Sequence, residues 1–238
     1  MITWLPTMLQ HDGADVRAGG RRKLEPDPHI HAVILSAAAE VVRTEGVQAL
    51  SIARVLSSTQ LGTRAFYRHF ESKDQLVASV FLEMARAEVV RLEQRMSDSD
   101  PVRAVAAWID GRLDLAFNQQ VRSDLRQMSL EAQNQMVAAP ELVAPAYREI
   151  LRPLVEQLTL GNDLGEFAEI DPDGEALSIH GVVWTNIERH WGIAQRDPAE
   201  IRRRVQSFCL RGLGVAPEAI AAVLSDPPPN RPGRGSSR

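Results

Sequence analysis

Residues 50–76 read LSIARVLSSTQLGTRAFYRHFESKDQL, and two short helical patterns meet there across a tight turn. Ile52, Val55 and Leu56 on the first, with Leu61, Phe66 and Phe70 beyond the turn, are spaced to close into a small core. Thr63, Arg64, Tyr67, Arg68 and His69 are then left on the outer face of the second helix. That is the layout of a helix-turn-helix, whose second helix lies in the DNA major groove. Double-stranded DNA is therefore the first partner to expect.

Working outward, the helix before this stretch starts at Asp27-Pro28, an N-cap acid followed by proline at the first helical position. Ile30, Val33, Ile34, Ala37, Ala38 and Val41 continue it at helical spacing, and Gly46 fits a left-handed stop. Ser51 caps the second helix, which is expected to end near Ser57. The turn is read as Ser58 to Gly62, and the third helix as running to about Phe70. Ser72-Lys73-Asp74-Gln75 is a capping box opening a long fourth helix towards Met96.

Further along, Asp100-Pro101 starts a helix containing Trp108, Leu113 and Phe117, and a shorter one spans roughly Ser123 to Met136. A helix from Pro140 meets Pro145 and Pro153, each expected to kink or break it. Gly161 to Gly174 reads as a loop. Two strong helices follow, Gly174 to Gln195 and Asp197-Pro198 to Gly212, then a short one over Pro217 to Leu224. The expectation is an all-α chain. It divides into a basic arm (1–26), a three-helix DNA-binding domain with its helix-turn-helix (27–73), a larger helical ligand-binding and dimerisation domain (74–225) and a Pro/Gly/Ser/Arg-rich disordered tail (226–238).

Composition narrows the class. The 238 residues are 44% hydrophobic and 24% charged, an ordinary globular balance. No apolar run is long enough for a membrane span, and no basic stretch followed by an apolar core opens the chain, so no membrane or secretory segment is expected. One cysteine, Cys209, excludes a disulfide framework and fits a reducing cytoplasm. The net charge of −4 is unevenly spread: residues 17–73 hold nine Lys/Arg against five Asp/Glu, leaving +4 there and −8 elsewhere. A basic segment beside an acidic body is an electrostatic footprint for polyanion binding.

Within the basic segment, Arg64 and Arg68 suit phosphate or guanine contacts, and Thr63 a short-range base or methyl contact. Tyr67 and His69 suit phosphate oxygens. Lys73 adds a charge where free backbone N–H groups already attract an anion. Ser51 and Arg54, at the start of the second helix, complete the candidate DNA-binding set. At these residues the chain resembles the TetR family of transcriptional regulators: Phe66-Tyr67-Arg68-His69-Phe70, Ser72-Lys73 and Leu76 follow that pattern, with Gly46, Leu50-Ser51-Ile52 and Val55 in matching register. The resemblance covers about residues 29–76. It implies a homodimer reading a palindromic operator, released by a small-molecule effector held in the C-terminal domain, most simply as a repressor. The chain departs from the family at Gln60, where Gly is usual, at Gly62, often Ser or Thr, and at Arg64, commonly Gly. Gln60 is thus expected in a left-handed conformation and Thr63 as a substitute cap.

The C-terminal helices offer apolar ridges for a four-helix dimer interface, with Trp184, Ile187, Trp191, Val205 and Phe208 as its candidates. Trp108, Phe117, Met128, Met136 and Phe167 are the candidates for an effector pocket, since Met and aromatics adapt to irregular apolar ligands. Few charges fall in the apolar stripes of these helices, so a hydrophobic or amphipathic effector is expected. His29/His31 and His180/His190 are poorly spaced for a metal, and no phosphate loop, nucleophile elbow or acid/base cluster occurs. No cofactor, metal or catalysis is expected. An activator of the same kind, and an α-helical module binding an acidic protein, are the other readings these residues admit.

Overall fold

The computed structural model describes residues 27–118, 122–192 and 197–225, with the side chains of 122–125 left aside. The proposed arm and tail, residues 1–26 and 226–238, lie outside the described residues. Among those described, helices are joined by short turns and no strand occurs.

Three helices build the head. Helix α1 (Pro28–Glu45) begins where the Asp27 carboxylate accepts the His29 N–H at 2.9 Å, and stops at Gly46 with φ +83°. A turn of 3₁₀ helix at Val47–Ala49, unforeseen in the sequence, leads to α2 (Ile52–Thr59), capped by Ser51 Oγ on the Arg54 N–H at 3.2 Å. Gln60 takes the left-handed conformation (φ 58°, ψ 21°), as expected. Helix α3 (Thr63–His69) begins at Thr63 itself, with Gly62 as an N-cap that has no side-chain bond. Thr63 therefore does not serve as the cap: it is already helical. Ile34, Ala38, Val42, Val55, Phe66 and Phe70 fill the core, each no more than 2% exposed.

Helix α4 (Lys73–Met96) carries the chain from head to body. Ser72 Oγ accepts the Gln75 N–H at 3.0 Å, and the Gln75 side chain accepts from the Glu71 backbone, one residue earlier than in a standard capping box. Its body half packs along α7 (Pro140–Asp163) and α5 (Pro101–Phe117). Pro145 and Pro153 lie inside α7, which runs through both, so neither breaks it. That continuity also moves the loop, which occupies only 164–171. Helix α6 (Arg122–Ala138) leans on α7, α5 and α1, and α8 (Pro172–Gly192), α9 (Pro198–Gly212) and α10 (Pro217–Ser225) complete the body.

Candidate nucleic-acid interface

Phe66 on α3 and Phe70, the residue that caps its C-terminus, are buried and fix that helix against α1 and α2. Their burial rotates Thr63, Arg64, Tyr67 and Arg68 outward, all exposed, with Tyr67 58% accessible although its ring edge rests on Phe66 (centroids 5.2 Å). An exposed tyrosine flanked by two exposed arginines is suited to a polyanion: the aromatic edge is supported and the hydroxyl is free to donate. Ser51, exposed, caps α2, and Lys73 is half-buried at the first position of α4.

Two candidates are placed differently from the expectation. Arg54 is ion-paired with Glu45 at the end of α1, so a phosphate contact by its guanidinium has to be shared with that carboxylate. His69 turns back towards α1: its ring meets His31 edge-on at 6.2 Å. Both of its ring nitrogens are shielded and without a partner among the described residues. Burial, His31 and Arg68 lower its pKa. In this position His69 supports the head and presents nothing to a phosphate.

Behind the head, the candidates for an effector pocket do not form one wall. Trp108 is fully buried at mid-α5, its Nε1–H donating to the Ile150 carbonyl at 3.3 Å. Phe117 ends α5 beside His190 (4.6 Å) and under the Arg202 guanidinium (5.2 Å). Phe167 is buried on the loop after α7, against Gly161, where an added Cβ would come within 2.1 Å of its ring. The Leu213 carbonyl accepts from Ala168 next to it, and α9 runs antiparallel to α5, Gln206 bonding Ala106 and Arg202 bonding Asp114. Phe167 thus belongs near the Pro101 end and Phe117 at the other, about 25 Å apart along a helix of 17 residues. Met128 is buried and Met136 half-buried on α6. One small ligand cannot touch all five.

The expectation of few charges is overturned in α5 itself, where Asp110, Arg112 and Asp114 are all under 9% exposed. Arg95 and Arg202 clasp Asp110 and Asp114 from α4 and α9, with Arg95–Asp114 at 2.9 Å and Arg202–Asp114 at 2.6 Å. Arg91 holds Glu88 at 2.7 Å and the Gly111 carbonyl at 2.7 Å, and Arg112 meets Glu88 at 3.1 Å. Gly111 allows this approach, because a Cβ there would lie 2.7 Å from Leu92 Cδ2. The Asp-x-Arg-x-Asp spacing inside an apolar helix was the available sequence signal for this cluster.

A second polar group, equally unforeseen, lies beside it. The Tyr147 hydroxyl on α7 donates to Gln133 Oε1 on α6 at 2.6 Å. The Tyr147 ring meets His180 of α8 at 5.4 Å, and Trp108 lies 6.5 Å from the same imidazole. Burial lowers the His180 pKa to about 3, helped by the positive charge of Arg112, and raises that of Tyr147.

The dimer candidates also need correction. Trp184, Ile187 and Val205 are buried within their own protomer, no more than 6% exposed, and cannot anchor an external face. Trp191 is half-buried, edge-on to Trp184 at 5.7 Å, beneath the Arg126 guanidinium. Phe208 does remain outside, at 57% exposed, with Leu177 at 61% on the neighbouring helix. Cys209 is buried and its thiol pKa raised to about 12, which suits packing. Among the described residues no group of side chains is arranged to hold a metal, and no helix is long and apolar enough to cross a membrane.

Residues 34–80 match the family model of bacterial regulatory proteins, tetR family. No curated protein is similar in sequence to the chain. Many solved structures share its fold. RolR in complex with resorcinol superposes with a TM-score of 0.57 at 20% identity, over 85% of this chain and 96% of that one. The transcriptional regulator FadR of Bacillus subtilis, bound to stearoyl-CoA, gives 0.59 at 18% identity over 76% and 98%. A putative transcriptional regulator of Saccharomonospora viridis, bound to choline, gives 0.57 at 15% identity over 76% and 96%.

Proposed function

Because residues 34–80 match the tetR family model, we propose that the chain is a regulator of that family, a homodimeric repressor that reads a palindromic operator and lets go when a small molecule enters its body. The carrying observation is the exposed face of α3, where Thr63, Arg64, Tyr67 and Arg68 project together from a helix anchored by Phe66 and Phe70. In this reading Arg64 and Thr63 touch base edges, and Tyr67, Arg68, Lys73 and the Ser51–Arg54 end of α2 hold phosphates. His69 has no part in it.

The division of labour follows the helices. Residues 27–73 form the reading head and 74–225 the sensing body, with 1–26 and 226–238 as appended segments. Helix α6 connects the two functions. Its Glu131 carboxylate accepts the Val47 N–H at 3.3 Å from the turn between α1 and α2. Two residues on, Gln133 bonds Tyr147 in the body. A ligand that shifts α6 therefore pulls on the head through Glu131. The crystal structures bound to resorcinol, stearoyl-CoA and choline support a body that takes small molecules. For the two-fold interface we assign the outer faces of α8 and α9 around Leu177 and Phe208, in place of the inward tryptophans.

Gel shift with DNA selected from a random pool, across a salt series, tests this reading. The expected result is a sequence-selective complex whose affinity falls steeply with salt. An equal affinity for scrambled DNA would refute it and favour a protein-binding module.

A further inference from the structure

The charged cluster of the body does not balance. Arg91, Arg95, Arg112 and Arg202 face Glu88, Asp110 and Asp114, one cation in excess among the described residues. Arg91 and Arg202 keep 26% and 22% of their side chains accessible, so water screens them. Arg112 is only 4% accessible, and Glu88, the one carboxylate it meets among the described residues, is shared with Arg91. Burial lowers the Arg112 pKa even beside Glu88. A buried charge short of its counterion is costly, which makes this position attractive to an incoming anion.

The orphaned polar atoms nearby are of matching kind. Arg112 Nε, His180 Nδ1 and Trp184 Nε1 are shielded and have no hydrogen-bond partner among the described residues. Arginine and tryptophan nitrogens only donate, and a neutral imidazole offers one N–H. Arg112 and Trp184 therefore lack an acceptor, and so does His180 when its proton sits on Nδ1. Trp184 lies one turn beyond His180 on the same side of α8, and Trp108 lies one turn before Arg112 on α5. The rings of Trp108 and Tyr147 meet the half-buried His180 imidazole beside these atoms.

We propose that this interior binds a small aromatic carboxylate, its oxygens accepting from Arg112, His180 and Trp184 and its ring lying among Trp108, Tyr147, His180 and Trp184. The excess cation selects a carboxylate over a neutral polar group, and the aromatic walls select a flat ring over an alkyl chain. The proposal deepens the regulator reading and rests on it, since this ligand is then the effector. Tyr147 reports its arrival to Gln133 on α6.

Isothermal titration of the full chain with benzoate, benzamide and cyclohexanecarboxylate provides the test. Benzoate should bind at least about tenfold more tightly than either analogue, the fold-change expected from one charge-assisted hydrogen bond. Trp184→Phe and His180→Phe, which keep the rings and remove the donors, should each weaken benzoate about tenfold while circular dichroism stays unchanged. Arg112→Gln should abolish the preference for benzoate over benzamide. Equal affinity for benzoate and benzamide, no benzoate binding, or benzoate affinity unmoved in the two Phe variants overturns the proposal. DNA selection on the same preparations separates the two failures. Selective DNA binding without benzoate binding removes only the ligand class, whereas benzoate binding without selective DNA binding removes the regulator reading.

Discussion

Arg64 and Tyr67 share the exposed face of α3, yet their chemistry separates what their loss should do. A guanidinium can pair with the two acceptors of guanine, so Arg64→Ala should shift preference at one base pair per half-site by about 1–3 kcal/mol. A phosphate contact carries no sequence information. Tyr67→Phe and Lys73→Ala should weaken all DNA alike, and Lys73→Ala should also lower the salt slope by about one. Anisotropy titrations on single-base operator variants distinguish these outcomes, and a uniform loss for Arg64→Ala would move it to the backbone class. His180 makes a different prediction. Its folded pKa of about 3 lies below the ordinary 6.5, so between those values the unfolded chain binds the extra proton. Stability should fall as pH drops below 6.5, with a slope approaching about 1.4 kcal/mol per pH unit. His180→Phe should flatten that slope between pH 6.5 and 5 in chemical denaturation. An unchanged slope would mean that the imidazole is hydrated.

At the scale of elements, α7 and its loop form a close fit that a single methyl should disturb. Gly161→Ala would press a Cβ into the Phe167 ring, with a destabilisation of about 1–3 kcal/mol expected in urea melts. The Glu131–Val47 bond between α6 and the head predicts that Glu131→Ala speeds amide exchange at Val47 and leaves the body amides unchanged. Protection retained at Val47 would argue against α6 as the connection. These two sites also mark the limit of reading the chain by pattern. The head was legible because its signals are local: Asp27-Pro28, Ser51, Gln60 and Ser72 each act within four residues, and the core spacing of Phe66 and Phe70 follows from one helical period. The body was harder. Trp184 looked like an interface anchor because apolar periodicity marks a buried face without saying what buries it, and the same chain turned out to bury it. Asp110, Arg112 and Asp114 broke the apolar pattern of α5, but their partners stand up to 92 residues away. Pro145 and Pro153 failed as breakers because α7 is held on several sides by α4, α5, α6 and α8.

Across the whole molecule, positive charge is concentrated in residues 17–73, mostly before the head itself, while the body is acidic, and the ion pairs of α4, α5 and α9 hold the helix that joins head and body. Such a distribution favours a polyanion at one end and discourages non-specific adhesion at the other. Two heads in a dimer built on α8 and α9 would read inverted half-sites separated by about one helical turn, or a multiple of it. Phe208→Glu with Leu177→Glu should then give a monomeric mass in light scattering and cost most of the operator affinity, since one head makes half the contacts. A dimeric mass would place the two-fold axis elsewhere. The central claim is tested most directly by selecting bound DNA from a random pool with the purified chain. The account predicts enrichment of an inverted repeat, lost when Arg64 and Tyr67 are both replaced by Ala. A pool that emerges without any enriched sequence would contradict it.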